Sequence, residues 1–148
     1  MILTRQNADT SDIEAIYLLS KKLIDDYEDT SNIDYDRVIS WVYKKIKESI
    51  SEYTRVYLNG VLAGYYHFYK NDDGIYEIDD LYVFDKFQNC GIGTQIIKEC
   101  ISLNEDVMLY VFIKNEKAVS LYKRLGFEIV ETVHETRYIM KYKRASQR

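Results

Sequence analysis

The sequence has 148 residues, a length typical of one compact domain, and its 47% hydrophobic and 30% charged residues are close to the averages of globular proteins. Its 20 lysines and arginines against 24 aspartates and glutamates give a net charge of −4, which argues against nucleic acid as a partner. No apolar run reaches the roughly 18 residues of a membrane helix, so no membrane partner is predicted either. The cysteines, Cys90 and Cys100, fit neither a disulfide framework nor a metal site, and no secretory leader is evident, which predicts a cytoplasmic protein.

The first half of the chain is predicted to contain a short strand, two helices and a three-stranded meander. Ser11 and Glu14 fit a capping box that opens a helix running to about residue 28. A second helix is indicated by apolar residues at every fourth position: Val38, Val42, Ile46 and Ile50. The hairpin signal Asn59-Gly60 and a second turn at 71–74 then separate strands at 53–58, 61–70 and 75–83.

The second half alternates helices and strands. A loop at 84–91 leads into a helix to about residue 103, followed by a strand at 107–113 and a helix at 116–125 that Gly126 ends. The last strands are predicted at 127–132 and 137–142. The order βααβββαβαββ predicts an α/β (α+β) fold with a mixed, mostly antiparallel central sheet flanked by helices. We expect one domain over 1–143, followed by a basic tail at 144–148.

A glycine-bearing turn between a strand and a helix is the first candidate for binding chemistry. It comprises Gln88, Asn89, Cys90, Gly91, Ile92, Gly93 and Thr94. Glycines let backbone amides converge on an anion, and the start of a helix adds a favourable dipole. The alternative is a tight turn that only allows close packing of helix on sheet. A dinucleotide fingerprint is excluded because its third glycine is missing, and the lysine of a phosphate-binding P-loop is absent too.

A second motif follows about 20 residues later. Asn115 and Tyr122 are seven residues apart, about two helical turns, so they lie on the same side of a helix and could flank one cleft. Taken alone, Asn115 is also an ordinary helix cap and Tyr122 an ordinary core residue.

Together the two motifs resemble the GNAT superfamily of acyl-CoA N-acyltransferases. The family pattern Gln/Arg-x-x-Gly-x-Gly/Ala matches Gln88, Gly91 and Gly93. The pattern Asn-x-x-Ala-x-x-Leu-Tyr-x-x-x-Gly-Phe matches the segment 115–127 at every named position. The resemblance is clear over 75–132, and the order of elements extends it over nearly the whole chain.

The resemblance implies acetyl-CoA as cosubstrate. The amides of 88–94 would hold its pyrophosphate, and the backbone of Leu81, Tyr82 and Val83 would pair with its pantetheine, while Asn115 and Tyr122 would lie along the cofactor arm. Many relatives carry a basic residue where Cys90 stands. Positive charge would then have to come from other residues, for which the candidates are Lys86, Lys98, Lys123 and Arg124.

The reaction implied is transfer of an acetyl group from acetyl-CoA to a primary amine. Such an amine is mostly protonated at neutral pH and needs a base. With a period of two, Glu77 and Asp79 share one strand face with Leu81 and Val83, which makes either carboxylate a candidate base. Glu77 is favoured, because some members of the family that the chain resembles have a catalytic glutamate at this place, six residues before Val83. The alternative is that both are solvated strand carboxylates. Tyr122 would protonate the departing thiolate.

Two other classes of function stay open from the sequence. The first is a regulatory domain that binds acyl-CoA without turnover, and the second, weaker one is a nucleotide-binding module that uses the same glycine turn. Antibiotics, polyamines, amino acids and peptide amino termini all stay open as the small-molecule or peptide acceptor, and a homodimer is as compatible with the sequence as a monomer. Tyr65, His67 and Tyr69 share one strand face and Tyr66 and Phe68 the other, either as core or as an aromatic pocket for a cation.

Overall fold

The computed structural model describes residues 1–145, so 146–148 of the predicted basic tail lie outside the described residues. The first residues of the tail, Arg144 and Ala145, donate backbone hydrogen bonds to the side chains of Asp106 and Asn104. The strands are β1 (Leu3–Asn7), β2 (Tyr53–Leu58), β3 (Val61–Lys70), β4 (Tyr76–Val83), β5 (Val107–Phe112), β6 (Glu128–Val133) and β7 (Arg137–Tyr142). The α-helices are α1 (Ile13–Tyr27), α2 (Tyr35–Ser49), α3 (Ile92–Ile101) and α4 (Glu116–Arg124). The predicted order is confirmed, with bounds shifted by up to three residues.

All seven strands form one sheet in the order β1-β2-β3-β4-β5-β7-β6. Every neighbouring pair is antiparallel except β4 and β5, which run parallel. Their pairing covers only three positions, from Tyr76 opposite Val107 to Ile78 opposite Leu109. Beyond these positions the two strands separate, which opens a V-shaped gap at their carboxyl ends.

Helices cover both faces of the sheet. On one face, α1 and α2 bury a cluster that includes Ile16, Ile46 and Tyr53. On the other face, Ile96 and Ile97 of α3 and the apolar side of α4 pack on the sheet in a second cluster. Because helices pack on each face of the sheet, most residues of its central strands are buried. The gap between β4 and β5 therefore lies between two packed layers of helices.

The prediction that Glu77, Asp79, Leu81 and Val83 share one face of β4 is wrong. His67 of β3 pairs with Asp80, whereas the next residue, Phe68, pairs with Ile78, so Asp79 is an extra residue in the ladder. Such a β-bulge shifts the alternation of all later residues by one. Leu81 and Val83 consequently pack with α3 and α4. Glu77 and Asp79 lie toward α1 and α2.

The predicted capping box of Ser11 and Glu14 is also wrong, because the first turn begins earlier. A short 3-10 turn, Thr10–Asp12, precedes α1, and Asp9 caps it by accepting from the amide of Ser11. Asp12 closes the box by accepting from the amide of Asp9. Asp12 is buried and also accepts from Arg55, so tertiary contacts with β2 place the start of this helix.

Candidate active site

A cleft of about 2540 Å³ opens where β4 and β5 separate. One wall is the end of β4 and the other consists of β5 and α4. Leu81, Tyr82 and Val83 line it on the β4 side, where β5 no longer pairs with them. On this side their peptide groups have no neighbouring strand, which leaves an edge that an extended molecule can join by backbone hydrogen bonds.

The glycine turn lies at the mouth of this cleft. Asn89 and Gly91 both have left-handed backbone, with φ values of 62° and 82°, and Gly91 is the N-cap of α3. No described residue accepts a hydrogen bond from the consecutive amides of 89–94, and α3 has no side-chain cap. Unsatisfied amides at a helix start are where an anion binds well. The turn therefore fits the diphosphate of a nucleotide-containing ligand.

The side chains of the turn have different surroundings. Gln88 donates to the carbonyl oxygen of Val83 at 3.2 Å, which ties the turn to the end of β4. Cys90 is exposed, and Ile92 anchors the turn in the core. Gly93 and Thr94 line the cleft, and a Cβ at Gly93 would meet only a methyl group of Leu121 at 3.9 Å.

Positive charge in the cleft comes mainly from the opposite wall. Of the candidates predicted from the sequence, Arg124 lines the cleft, whereas Lys86, Lys98 and Lys123 do not. Lys22 and Lys45, of α1 and α2, also line the cleft, and so do two further lysines that the prediction missed, Lys114 and Lys117. They lie at the start of α4, where only the orientation of that helix determines which side chains face the cleft.

Asn115 and Tyr122 lie on the α4 wall, as their spacing predicts. The Oδ1 of Asn115 accepts from the amide of Ala118 at 3.3 Å, so it caps α4 and leaves the Nδ2 group for other partners. The ring of Tyr122 packs edge-on against Phe127 at 5.6 Å between centroids. Its hydroxyl makes no hydrogen bond with the described residues, and burial raises its pKa. The phenol is therefore held protonated beside the cleft.

The carboxylates of β4 lie deeper, beside α2. Lys45 of α2 forms an ion pair with Asp79, with 2.6 Å between Nζ and Oδ2. Burial opposes ionisation of Asp79, but its hydrogen bond with His67 and the nearby ammonium group of Lys45 lower its pKa overall. Asp80 accepts from the hydroxyls of Tyr53 and Tyr82. Burial and the charge of Asp79 raise the pKa of Asp80.

Glu77 is buried and has weaker partners than Asp79. Its Oε1 lies 3.3 Å from the Nδ2 of Asn71 and 3.5 Å from the hydroxyl of Tyr69. Burial raises its pKa, and the negative charge of Asp79 adds to this effect. A carboxylate whose pKa is shifted toward neutrality is better suited to accept a proton than one held ionised by an ion pair. The structure thus distinguishes two carboxylates that strand parity alone left equivalent.

His67 is the site residue that sequence reasoning used least. Its ring is stacked between Tyr53 and Tyr69, and its Nδ1 is 2.9 Å from Asp79. The predicted grouping of Tyr65, His67 and Tyr69 on one strand face is confirmed, because Tyr65 packs in the same cluster as Tyr53, whereas Tyr66 and Phe68 pack in the cluster on the other face. The predicted turn at 71–74 would have placed His67 opposite Ile78, whereas the observed first pair of the hairpin, Lys70 with Tyr76, and the bulge together place it opposite Asp80.

Comparison with known proteins identifies this arrangement. The family model described as the acetyltransferase (GNAT) family matches residues 16–127, which include β4, the glycine turn and α4. The chain belongs to this family. An uncharacterized N-acetyltransferase of Methanocaldococcus jannaschii is 39% identical to this GNAT chain over 62 residues, which is 38% of the chain and 27% of that relative. The match thus spans about a quarter of the relative's length.

Solved structures of N-acetyltransferases have the same fold as this GNAT chain. The PaiA N-acetyltransferase of Thermoplasma acidophilum in complex with coenzyme A has a TM-score of 0.71 at 17% identity, over 97% of this chain and 99% of that one. Naa50 of Arabidopsis thaliana, in complex with the bisubstrate analogue CoA-Ac-MVNAL, has a TM-score of 0.64 at 18% identity, over the same shares of the two chains. Within residues 1–145, no helix is long and apolar enough to span a membrane, and no cluster of three or more metal-binding side chains is found.

Proposed function

We propose that this protein transfers an acetyl group from acetyl-CoA to a primary amine of a small molecule or peptide. The observation that supports this most strongly is the run of unsatisfied amides at 89–94, placed at the mouth of the gap between β4 and β5. The family relationship supplies the reaction class. Coenzyme A in the PaiA structure and the bisubstrate analogue in the Naa50 structure support the choice of cosubstrate.

The residues present fit acetyl-CoA. The amides of the glycine turn would hold its diphosphate, with Arg124 and Lys117 adding positive charge from the opposite wall. The unpaired edge of Leu81, Tyr82 and Val83 would hold its extended arm, and Asn115 has a side-chain amide free to donate there. The cosubstrate supplies an acetyl group activated as a thioester.

The protein would then move two protons. Glu77 would accept a proton from the incoming ammonium at a carboxylate oxygen, directly or through water, because burial raises its pKa. Tyr122 would donate its phenol proton to the departing thiolate, for which its raised pKa keeps the proton available. Asp79 is tied to Lys45 and His67, so it orients this part of the site and does not act as the base.

The test is a release assay with acetyl-CoA and a panel of amines. Free thiol is measured with a colorimetric reagent, and the acetylated product is identified by mass spectrometry. Amine-dependent thiol release with a matching product supports the proposal. Acetyl-CoA binding without turnover on any amine would instead indicate a regulatory binding domain. Competition by NAD or ATP, without any effect of CoA, would indicate a nucleotide-binding module.

A further inference from the structure

The end of the cleft beside α2 contains more carboxylates than positively charged groups to neutralise them. Glu52, Glu77 and Asp79 all lie close enough to the hydroxyl of Tyr69 to influence it electrostatically. Within the described part of the chain, Lys45 is the one lysine or arginine that pairs with these three carboxylates, and its partner is Asp79. Among the described residues, neither Glu52 nor Glu77 forms an ion pair with a lysine or arginine, although the charge of Lys45 also acts on Glu77. This end of the cleft is therefore suited to a positively charged molecule.

A buried nitrogen faces the same place. His67 is 2% exposed, and its Nε2 has no hydrogen-bond partner among the described residues. The nearest acidic atom is the Oε1 of Glu52 at 3.6 Å, which is too far for a hydrogen bond. Since Nδ1 is hydrogen-bonded to Asp79, the ring is held with Nε2 directed at Glu52. A buried polar atom without a partner is costly, and a ligand that donates hydrogen bonds here would remove that cost.

Glu52 and Glu77 lie beside neighbouring rings of one aromatic stack. The rings of His67 and Tyr69 stack at 4.5 Å between centroids. Glu52 is beside the His67 ring, whereas Glu77 contacts the hydroxyl of Tyr69. Glu52 is half exposed and lines the cleft, as do both rings. A short alkyl chain along this stack would bring a positive charge to each carboxylate.

We propose that the acceptor is an aliphatic diamine whose reacting nitrogen lies at Glu77 and whose second ammonium group binds Glu52. The inference rests on the proposed acetyl transfer and names the substrate class for the same cleft. An ammonium group donates up to three hydrogen bonds, so it can serve Glu52 and, once that side chain shifts, the Nε2 of His67 as well. A monoamine leaves Glu52 without its cation. An amino acid would place its own carboxylate in an acidic environment.

The experiment compares diamines from diaminopropane to diaminohexane with monoamines of matched length, on the parent protein and on Glu52→Gln. We expect the diamines to have a KM roughly tenfold lower than the monoamines, since an ion pair at a half-exposed carboxylate contributes up to about a factor of ten. Glu52→Gln should raise the KM of diamines to that of monoamines with little change in kcat. Glu48→Gln is the matched control, because Glu48 is exposed and does not line the cleft.

Each other outcome overturns the inference in a recognisable way. Acetyl transfer to monoamines and diamines with equal KM removes the second ammonium site but keeps the proposed transferase. A preference for diamines that Glu52→Gln does not reduce, or that Glu48→Gln reduces equally, removes Glu52 as its cause. The absence of transfer to any amine overturns the proposed function and the inference with it. Thermal unfolding of each variant checks that it is folded.

Discussion

The assignment of Glu77 as the base predicts a specific pH dependence for Glu77→Gln. Glutamine keeps the size of the side chain and can still accept from Asn71 and Tyr69, so the fold should persist. It cannot take a proton. A positioned base contributes about a hundredfold to ten-thousandfold to the rate, so we expect kcat/KM near neutral pH to fall by at least about a hundredfold.

The size of the rescue at high pH follows from the amine. With a pKa near 10.4, only about one amine molecule in 2500 is neutral at pH 7. A variant without a base depends on that fraction, which rises about tenfold with each pH unit up to the pKa of the amine. The defect of Glu77→Gln should therefore shrink steadily as the pH is raised, whereas the profile of the parent should level off above the raised pKa of Glu77.

The assay is the thiol-release rate at low amine concentration over a pH series, with Asp79→Asn as the comparison. Asp79→Asn should lose rate without a comparable rescue, because the ion pair with Lys45 makes it an orienting residue. A larger, pH-rescued loss in Asp79→Asn would exchange the two roles. A profile for Glu77→Gln that superimposes on that of the parent would refute the reasoning, since the amine would then arrive already neutral.

Three further predictions concern the other parts of the site. Tyr122→Phe keeps the ring packing on Phe127 and removes the hydroxyl, so kcat should fall with thermal stability nearly unchanged; an unaltered kcat would leave the residue a packing role alone. Gly93→Glu adds a carboxylate at the unsatisfied amides of the glycine turn, where there is room for a side chain. The affinity for CoA measured by calorimetry should therefore fall at least about tenfold while stability is kept. An affinity equal to that of the parent would contradict the proposed diphosphate site. Lys45→Met leaves Asp79 without its cation and should lower the free energy of unfolding by about 2 to 4 kcal/mol at neutral pH. Because the folded pKa of Asp79 is lowered, that loss should shrink in denaturation curves as the pH falls below about 4, and a pH-independent loss would contradict it.

The sequence predicted local elements well because their signals are local. The Asn59-Gly60 turn and the spacing of four residues between Val42 and Ile46 are signals within a few residues of the chain. The hairpin and the helix that they predict are both observed. The same holds for the spacing of Asn115 and Tyr122 on α4.

The electrostatics of the site could not be predicted, because they depend on contacts between distant segments. The pairing of Lys45 with Asp79 joins α2 to β4 across 34 positions, and no sequence pattern marks it. The difference between Glu77 and Asp79 depends on this pair. The bulge at Asp79 could not be predicted either, because β4 contains no glycine or proline that would indicate one.

The bulge at Asp79 also has a consequence for how β4 can change in evolution. A substitution at this position alters the contacts of Asp79 with Lys45 and His67, whereas deletion of the residue would also restore simple alternation along the strand. The pairs on either side of the bulge, His67 with Asp80 and Phe68 with Ile78, would then be consecutive, so Leu81 and Val83 would still face α3 and α4. Deletion would instead leave Lys45 without its ion-pair partner and the Nδ1 of His67 without its carboxylate, at a cost of several kcal/mol. The bulge is therefore an insertion that serves the contacts of one side chain, so relatives that lack this residue should also have other residues in place of Lys45 and His67.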